Sequence, residues 1–455
     1  MSMRLLPWME DVRALLRLGL PLAFTQIAQM AIMTTDVLVV GQLGSDALAA
    51  AALGVTLYYF CWVLGFGPMA AVAPVVAQAL GASPGDRATP RVAIRMGLWA
   101  SVIVSLPLAL PLIFGEAILV ALNQPADLAS MAAPYMHALL PGLVFSLSFG
   151  ALRVFASAVH APRAALVILI MTIAVNLFCN IAFVFGRFGA PELGIIGSGV
   201  ATTLANIFSF AALLIWTVWS KKTAKFRILK GFLTPDWRRF AELFRIGLPI
   251  GATMLFEGTL FQAGVLIVGQ FGGQMLAAHQ VAVNVASFTF MVPLGLAMAG
   301  TVRVGLAAGA RDEAGMRRAG LTVMAVAAAV SFISATAMVL WPRAIAALYL
   351  DESDPANAPV IETAAGFLLL AAAFQLFDAV QVAGAMALRG LKDTQVPMIL
   401  AGLSYWAIGM PVALWLTFEA GLGATGVWWG FVAGLAAAAV AMAWRFYRLT
   451  HQGGM

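Results

Sequence analysis

The chain has 455 residues, of which 62% are hydrophobic and only 10% charged, against roughly 25% charged in a typical soluble domain. So few charges cannot wet the surface of a soluble fold, and apolar stretches of about 20 residues, enough to cross a hydrocarbon core as a helix, recur from end to end. The net charge of +6 does not indicate nucleic acid, because Lys and Arg sit in short segments between apolar runs and form no reading face.

Taken in chain order, the segment from Arg4 to Arg17 mixes Leu5, Leu6, Trp8, Leu15 and Leu16 with Arg4, Arg13 and Arg17, which predicts a short helix on the inner membrane surface. The first apolar run, 15–40, is longer than a signal-peptide core and has no small-residue cleavage pattern behind it, so it predicts a retained span. Further spans are predicted at 46–80, 92–113, 130–156, 164–186, 195–219, 243–268, 276–307, 318–341, 362–388, 395–418 and 424–447. Cys61 and Cys179 fall inside apolar runs, away from any CxxC or metal-ligand spacing, and read as small core residues. With both termini in the cytoplasm, only Arg187 and Arg343 of the 26 Lys and Arg fall on the outer side, the asymmetry that the positive-inside rule describes.

The sequence also matches itself. Leu18-Gly19-Leu20-Pro21 recurs as Ile246-Gly247-Leu248-Pro249, and Val37 to Gly44 (VLVVGQLG) recurs as Val265 to Gly272 (VLIVGQFG), both displaced by 228 residues. Gly194-Ile195-Ile196-Gly197 pairs with Gly423-Ala424-Thr425-Gly426, displaced by 229. The expected fold is therefore an all-α integral membrane protein with twelve transmembrane helices in two six-helix bundles. A unit with an even number of spans returns to its starting side, so the copies have parallel topology and a pseudo-twofold axis along the membrane normal. The expected lobes are residues 1–219 and 243–455, joined by a basic cytoplasmic linker at 220–242 whose Lys and Arg suit topology and lipid-phosphate contact.

All but three of the 20 acids lie in loops or at helix ends; Asp36, Glu257 and Asp378 stand inside apolar spans. A carboxylate near the bilayer centre costs about 2.5–3.5 kcal/mol even on the lenient insertion scale. Asp36 lies roughly 8 Å below the outer boundary at a rise of 1.5 Å per residue, and the other two near mid-helix. Arg153, Arg303 and Arg389 are placed near inner helix ends, too far for an ion pair. Each acid is then poised to bind a proton, a sodium ion or a cationic substrate; the bland alternative is a neutral carboxyl hydrogen-bonded between helices.

Thr172, Asn176 and Asn180, spaced by four, form a stripe on the fifth span, with Asn180 near the depth of Asp36. The same stripe serves equally for interhelical hydrogen bonding. On the first span Gln29 and Asp36 share a face, with Gln26 and Met33 beside it, and these are candidate cavity-lining residues. The acids break the repeat: Asp36 maps onto Gly264 and Glu257 onto Gln29. Scaffold positions repeat while charge positions do not.

The two six-helix halves, the acid late in the first span, the Asn pair on the fifth, the mid-helix Glu on the seventh, Ala277-Ala278-His279-Gln280 opening the eighth and the Asp on the tenth resemble the NorM branch of the multidrug and toxic compound extrusion (MATE) family. The resemblance covers essentially the whole chain. It implies a secondary antiporter of the bacterial inner membrane that exports organic cations in exchange for H+ or Na+, with no other cofactor, no obligate protein partner, and lipid as its surroundings. It matches Asp36, Asn176 and Asn180 to a cation-responsive cluster of the first lobe, and Glu257, Gln280 and Asp378 to a site of the second. Na+ ligation is implied at Asp36, Asn176 and Asn180 or at Glu257 and Asp378. Four residues before the helix-ten acid stands Phe374, which lacks the hydroxyl of a tyrosine and so weakens the second set. His279 reads equally as a structural hydrogen-bonder.

Two other classes stand beside this reading. A flippase for lipid-linked precursors shares the architecture, but its cavity needs basic charge to hold phosphates, and the intramembrane charges here are acidic. A polytopic membrane enzyme needs a nucleophile with a base or a metal cluster, and the four His are scattered with no HExxH or GxSxG motif.

Overall fold

The computed structural model describes residues 6–350, 352, 354–355 and 357–451. Among these residues there is no strand, and twelve helices are long and apolar enough to cross a membrane: α1 (Leu6–Gly41), α2 (Ser45–Ala82), α3 (Ala88–Ile113), α4 (Ala126–Ala158), α5 (Pro162–Phe185), α6 (Ile195–Trp219), α7 (Trp237–Gly269), α8 (Gly273–Gly309), α9 (Glu313–Leu340), α10 (Ala358–Gly390), α11 (Gln395–Glu419) and α12 (Ala424–His451). Most run a few residues past the predicted apolar stretch, because a helix does not stop where its side chains become polar; it stops at glycine, proline or a cap. The α1–α2 and α7–α8 turns show this. They close on Gly44 (φ 110°) and Gly272 (φ 99°), repeat equivalents in a backbone region that favours glycine.

The predicted surface helix before the first span is corrected. From Leu6 onward these residues continue α1 without a break, since nothing between Trp8 and Leu20 interrupts a helix, and Asp11 is held by Arg303 and by Arg318 Nε at 3.3 Å. Arg4 and Leu5 lie outside the described residues.

By their contacts the residues fall into two units. One comprises the chain up to Gln26 and from Ala252 onward; the other is Ile27–Gly251. These boundaries differ from the predicted halves by the first turns of α1 and α7, each of which packs with helices of the other half. The cause is a repeated close helix crossing. A Cβ on Gly67 would meet the backbone of Gly247 and Gly251, and one on Gly295, 228 residues on, would meet the backbone of Ala23. Only small residues allow such an approach.

Within Ile27–Gly251, α4 is the central helix and packs on α2, α3 and α6. Its repeat counterpart α10 is central in the other unit and packs on α8, α9 and α12. In α11, π-helical turns at Leu403–Gly409 and Trp415–Glu419 interrupt the α-helix and bury Tyr405. Single π turns of this kind concentrate at functional sites.

The predicted linker is tied to α3 by side-chain hydrogen bonds. Arg91, Arg95 and Trp99, spaced by four on α3, donate to the backbone carbonyls of Phe226 (2.7 Å), Gly231 (2.6 Å) and Phe232 (3.0 Å). Thr223, Phe226 and Ile228 are buried beneath this strap.

Candidate functional site

In the Ile27–Gly251 unit, α1, α5 and α6 bring polar groups onto one carboxyl. Asn176 Nδ2 donates to Asp36 Oδ1 at 3.0 Å, and Asn180 Nδ2 donates to the same oxygen at 2.8 Å. Thr202 of α6 donates from Oγ1 to Asp36 Oδ2 at 2.9 Å. Every donor is neutral. The side-chain oxygens of Asn176 and Asn180 are buried and accept no hydrogen bond among the described residues. The shell can therefore present either face. With amide nitrogens turned inward it holds an ionised carboxylate; with the amides rotated it offers oxygens to a proton on Asp36 or to a hard cation.

Apolar packing shapes the surroundings. Val40, Ala51, Tyr135 and Leu139 form a buried cluster with Tyr58 and Ile195 against it, and Tyr135 interacts electrostatically with Asp36.

The other predicted residues divide. Thr172 is buried on the expected face, but its hydroxyl donates to Ile168 O of its own helix at 2.8 Å, and the hydrogen bonds to Asp36 come from elsewhere. Gln29 accepts from Arg153 Nη1 at 3.0 Å. Gln26 is half-buried, while Met33 is exposed.

In the other unit Glu257 of α7 and Asp378 of α10 do interact, and they share their surroundings with Arg389 and Tyr405. Among the described residues no ion pair joins an arginine to either acid, as expected, although Arg389 acts on Glu257 electrostatically. Helical side chains lean toward the helix N-terminus. Because α7 and α10 are antiparallel, Glu257 and Arg389 lean toward one another, as Gln29 of α1 and Arg153 of α4 do in the first half. Asp378 is buried, and its Oδ1 has no hydrogen-bond partner among the described residues; the same holds for the Tyr405 hydroxyl.

Gln280 lies on the exposed face of α8, where its backbone carbonyl accepts from Asn284 at 2.9 Å; among the described residues no hydrogen bond joins it to Glu257 or Asp378. Phe374 is buried in an aromatic cluster with Phe261 and Trp428, at ring separations of 6.3 and 5.7 Å. His279 packs in the same cluster, edge-on to Trp428 at 5.3 Å, with no hydrogen bond to either ring nitrogen among the described residues.

Three functional candidates escaped the sequence reading. Thr202 is one of several hydroxyls on α6, and only its spacing of four from Ser198 and Asn206 hinted at a stripe. Tyr405 and Arg389 carry no local signal, since their importance comes from what faces them.

The MatE family model matches residues 21–182 and 249–415, once in each half of the chain. The chain is 40% identical over 441 residues to a probable multidrug resistance protein NorM of Mesorhizobium japonicum, covering 97% of this chain and 94% of that one. It is 41% identical over 435 residues to the multidrug resistance protein NorM of Burkholderia vietnamiensis, covering 95% and 93%. Among solved structures, it is similar to a eukaryotic MATE transporter (TM-score 0.86, 20% identity, 98% of each chain). A multidrug resistance MATE family transporter in an outward-facing conformation matches as well (TM-score 0.87, 18% identity, 98% of this chain and 97% of that one). At these identities the solved structures speak for the fold, while the family model and the relatives near 40% cover both halves: the chain belongs to the MATE family, in its NorM-like branch.

Proposed function

We propose that the protein is a multidrug efflux antiporter that exports small organic cations in exchange for protons at Asp36, with Na+ as the alternative coupling ion. The observation that carries this reading is the Asp36 carboxyl held, among the described residues, by the neutral donors Asn176, Asn180 and Thr202 at 2.8–3.0 Å. A permanent ion pair would lock such an acid in one charge state. A neutral shell leaves it free to exchange a proton for a cation. The relatives' names, multidrug resistance protein NorM, support the substrate class.

The halves 1–219 and 243–455 act as the two lobes of alternating access, both termini face the cytoplasm, and the protein resides in the bacterial inner membrane. Lys and Arg placement supports the orientation. Exchange requires that the coupling ion bind one conformational state more tightly than the other. A proton on Asp36 removes the charge that attracts a cationic substrate and so favours substrate release to the outside. Glu257 and Asp378 supply oxygens in the second lobe, where Arg389 offsets part of their charge and Phe374 withholds a ligand; that lobe is the place for Na+ should Na+ serve.

The test is substrate movement in proteoliposomes under independently imposed proton and sodium gradients. Transport driven by a proton gradient with sodium absent is expected. Transport that appears only with a sodium gradient overturns the assignment of the coupling ion, and no export of organic cations under either gradient overturns the function.

A further inference from the structure

Arg238, Arg239 and Arg245 at the start of α7 line, with Asp236 and Glu242, a cavity of about 550 Å³. The acids near it are already engaged. Glu242 forms an ion pair with Arg239, and Asp236 Oδ1 accepts from the Arg239 backbone amide at 2.9 Å. Asp86, which interacts electrostatically with Arg239, accepts from the backbone amides of Ala88 (2.8 Å) and Thr89 (3.1 Å). Arg238 and Arg245 are different: both are exposed, and neither enters an ion pair with a described residue. Seven residues apart, they lie on one face of α7.

The rim is apolar. Leu233 is 83% exposed, Trp237 60% and Leu248 57%. Trp237 meets Trp99 edge-on at 6.3 Å and Phe240 at 5.7 Å, an aromatic group of the kind that marks the boundary between hydrocarbon and headgroups. The chain leading into α7 is also held in place. The strap of Arg91, Arg95 and Trp99 fixes the chain through Phe232, and the backbone amide of Asp236 contacts Met96 Sδ at 3.3 Å. A site fixed beforehand loses little freedom on binding.

We propose that this cavity is a site for the phosphate headgroup of an anionic phospholipid. The Arg238 and Arg245 guanidinium groups hold the phosphate oxygens, and Leu233, Trp237 and Leu248 lie along the acyl chains. Two guanidinium groups on one face match the geometry of a phosphate, which each can contact bidentately. The exposed apolar residues that flank the arginines favour a lipid over a soluble phosphate, because a free anion gains nothing from exposed leucine and tryptophan.

The experiment uses the full-length protein in neutral detergent and titrates dioleoyl-phosphatidylglycerol against dioleoyl-phosphatidylcholine by native mass spectrometry. The wild type is expected to retain phosphatidylglycerol selectively. The R238Q/R245Q variant should lose about thirtyfold in that affinity, taking each surface arginine at its usual contribution. The control R187Q/R343Q, which removes equal charge at other loops, should match wild type. If the double variant is not monodisperse, R238Q and R245Q singly are each expected to lose about fivefold. Equal retention by R238Q/R245Q and wild type overturns the site. Displacement of the lipid by millimolar glycerol phosphate overturns the lipid assignment and leaves a soluble phosphate as the ligand.

Discussion

Thr202→Val is the sharpest perturbation of the Asp36 shell, because valine keeps the size of threonine and removes one hydroxyl. That hydroxyl donates to Asp36 Oδ2 at 2.9 Å, whereas Oδ1 keeps its two amide donors at 3.0 and 2.8 Å. A hydrogen bond to a charged group contributes about 1.5–3 kcal/mol net, and a buried acceptor left without a donor costs a similar amount. Thr202→Val should therefore destabilise the protein by about 1.5–3 kcal/mol when residue 36 is Asp. In an Asp36→Asn background the same substitution removes a hydrogen bond between neutral groups, which contributes only about 0.5–1.5 kcal/mol. The difference is a coupling energy of about 1–2 kcal/mol, or a few degrees in the unfolding midpoint of a unit this size. The assay is thermal unfolding of the four purified proteins in one detergent. Equal losses in the two backgrounds would show that Thr202 does not support a charged Asp36.

Asp36→Asn keeps the size of the side chain and removes its titration, so efflux of a cationic dye should collapse while the protein level in the membrane stays near normal; full efflux by a well-expressed variant sinks the coupling role. Gly67→Ala should reduce the yield of folded protein, since overpacking costs about 1–3 kcal/mol and the added Cβ would strike the backbone of Gly247, which cannot rotate away. Gly258→Ala, with nothing within 4 Å of the new atom, is the tolerated control; equal damage from the two refutes the close crossing. Cysteines at Ser45 and at Ser353, which lies outside the described residues, should react with impermeant thiol reagents from outside, whereas one at Ser83 should not. The native Cys61 and Cys179 are buried, so background labelling should be low, and the reverse pattern would invert the orientation.

Much of this was legible in sequence because lipid makes mistakes costly. An acid among apolar residues stands out, and amides spaced by four point to one face, so Asp36, Asn176 and Asn180 could be grouped although Asn176 lies 140 residues from Asp36. Thr202 was hidden because hydroxyls on membrane helices commonly bond their own backbone, as Thr172 does. Arg389 forms no ion pair with the acids among the described residues, as expected, but a long side chain on an antiparallel neighbour reaches further than its Cα suggests and brings its charge to bear on Glu257. The strap across the linker was missed because its acceptors are backbone carbonyls, which no residue type announces. The exchange of the first turns of α1 and α7 rests on Gly67 and Gly295, whose matching offset of 228 was present in the sequence but carries meaning only once the crossing partners are known.

Duplication explains the scaffold, and departures from it explain the chemistry. At repeat-equivalent positions on the leading helices stand Gln29 and Glu257; Gln29 accepts a hydrogen bond from Arg153 of the central helix of its half, whereas Glu257 feels Arg389 of its own central helix electrostatically. The first pair joins a cation to a neutral amide. The second sets a cation within electrostatic range of an acid that also feels Asp378. The first half thus keeps its arginine apart from its functional acid, leaving Asp36 with neutral donors alone, while the second half places arginine, acids and Tyr405 in one cluster. A carboxyl among neutral donors changes charge with its bound proton or cation. Among several ionisable groups that interact, a change at one is offset in part by the others. This contrast is the reason the proposed mechanism assigns charge exchange to Asp36 and leaves the second cluster the part of holding a conformation or a bound cation.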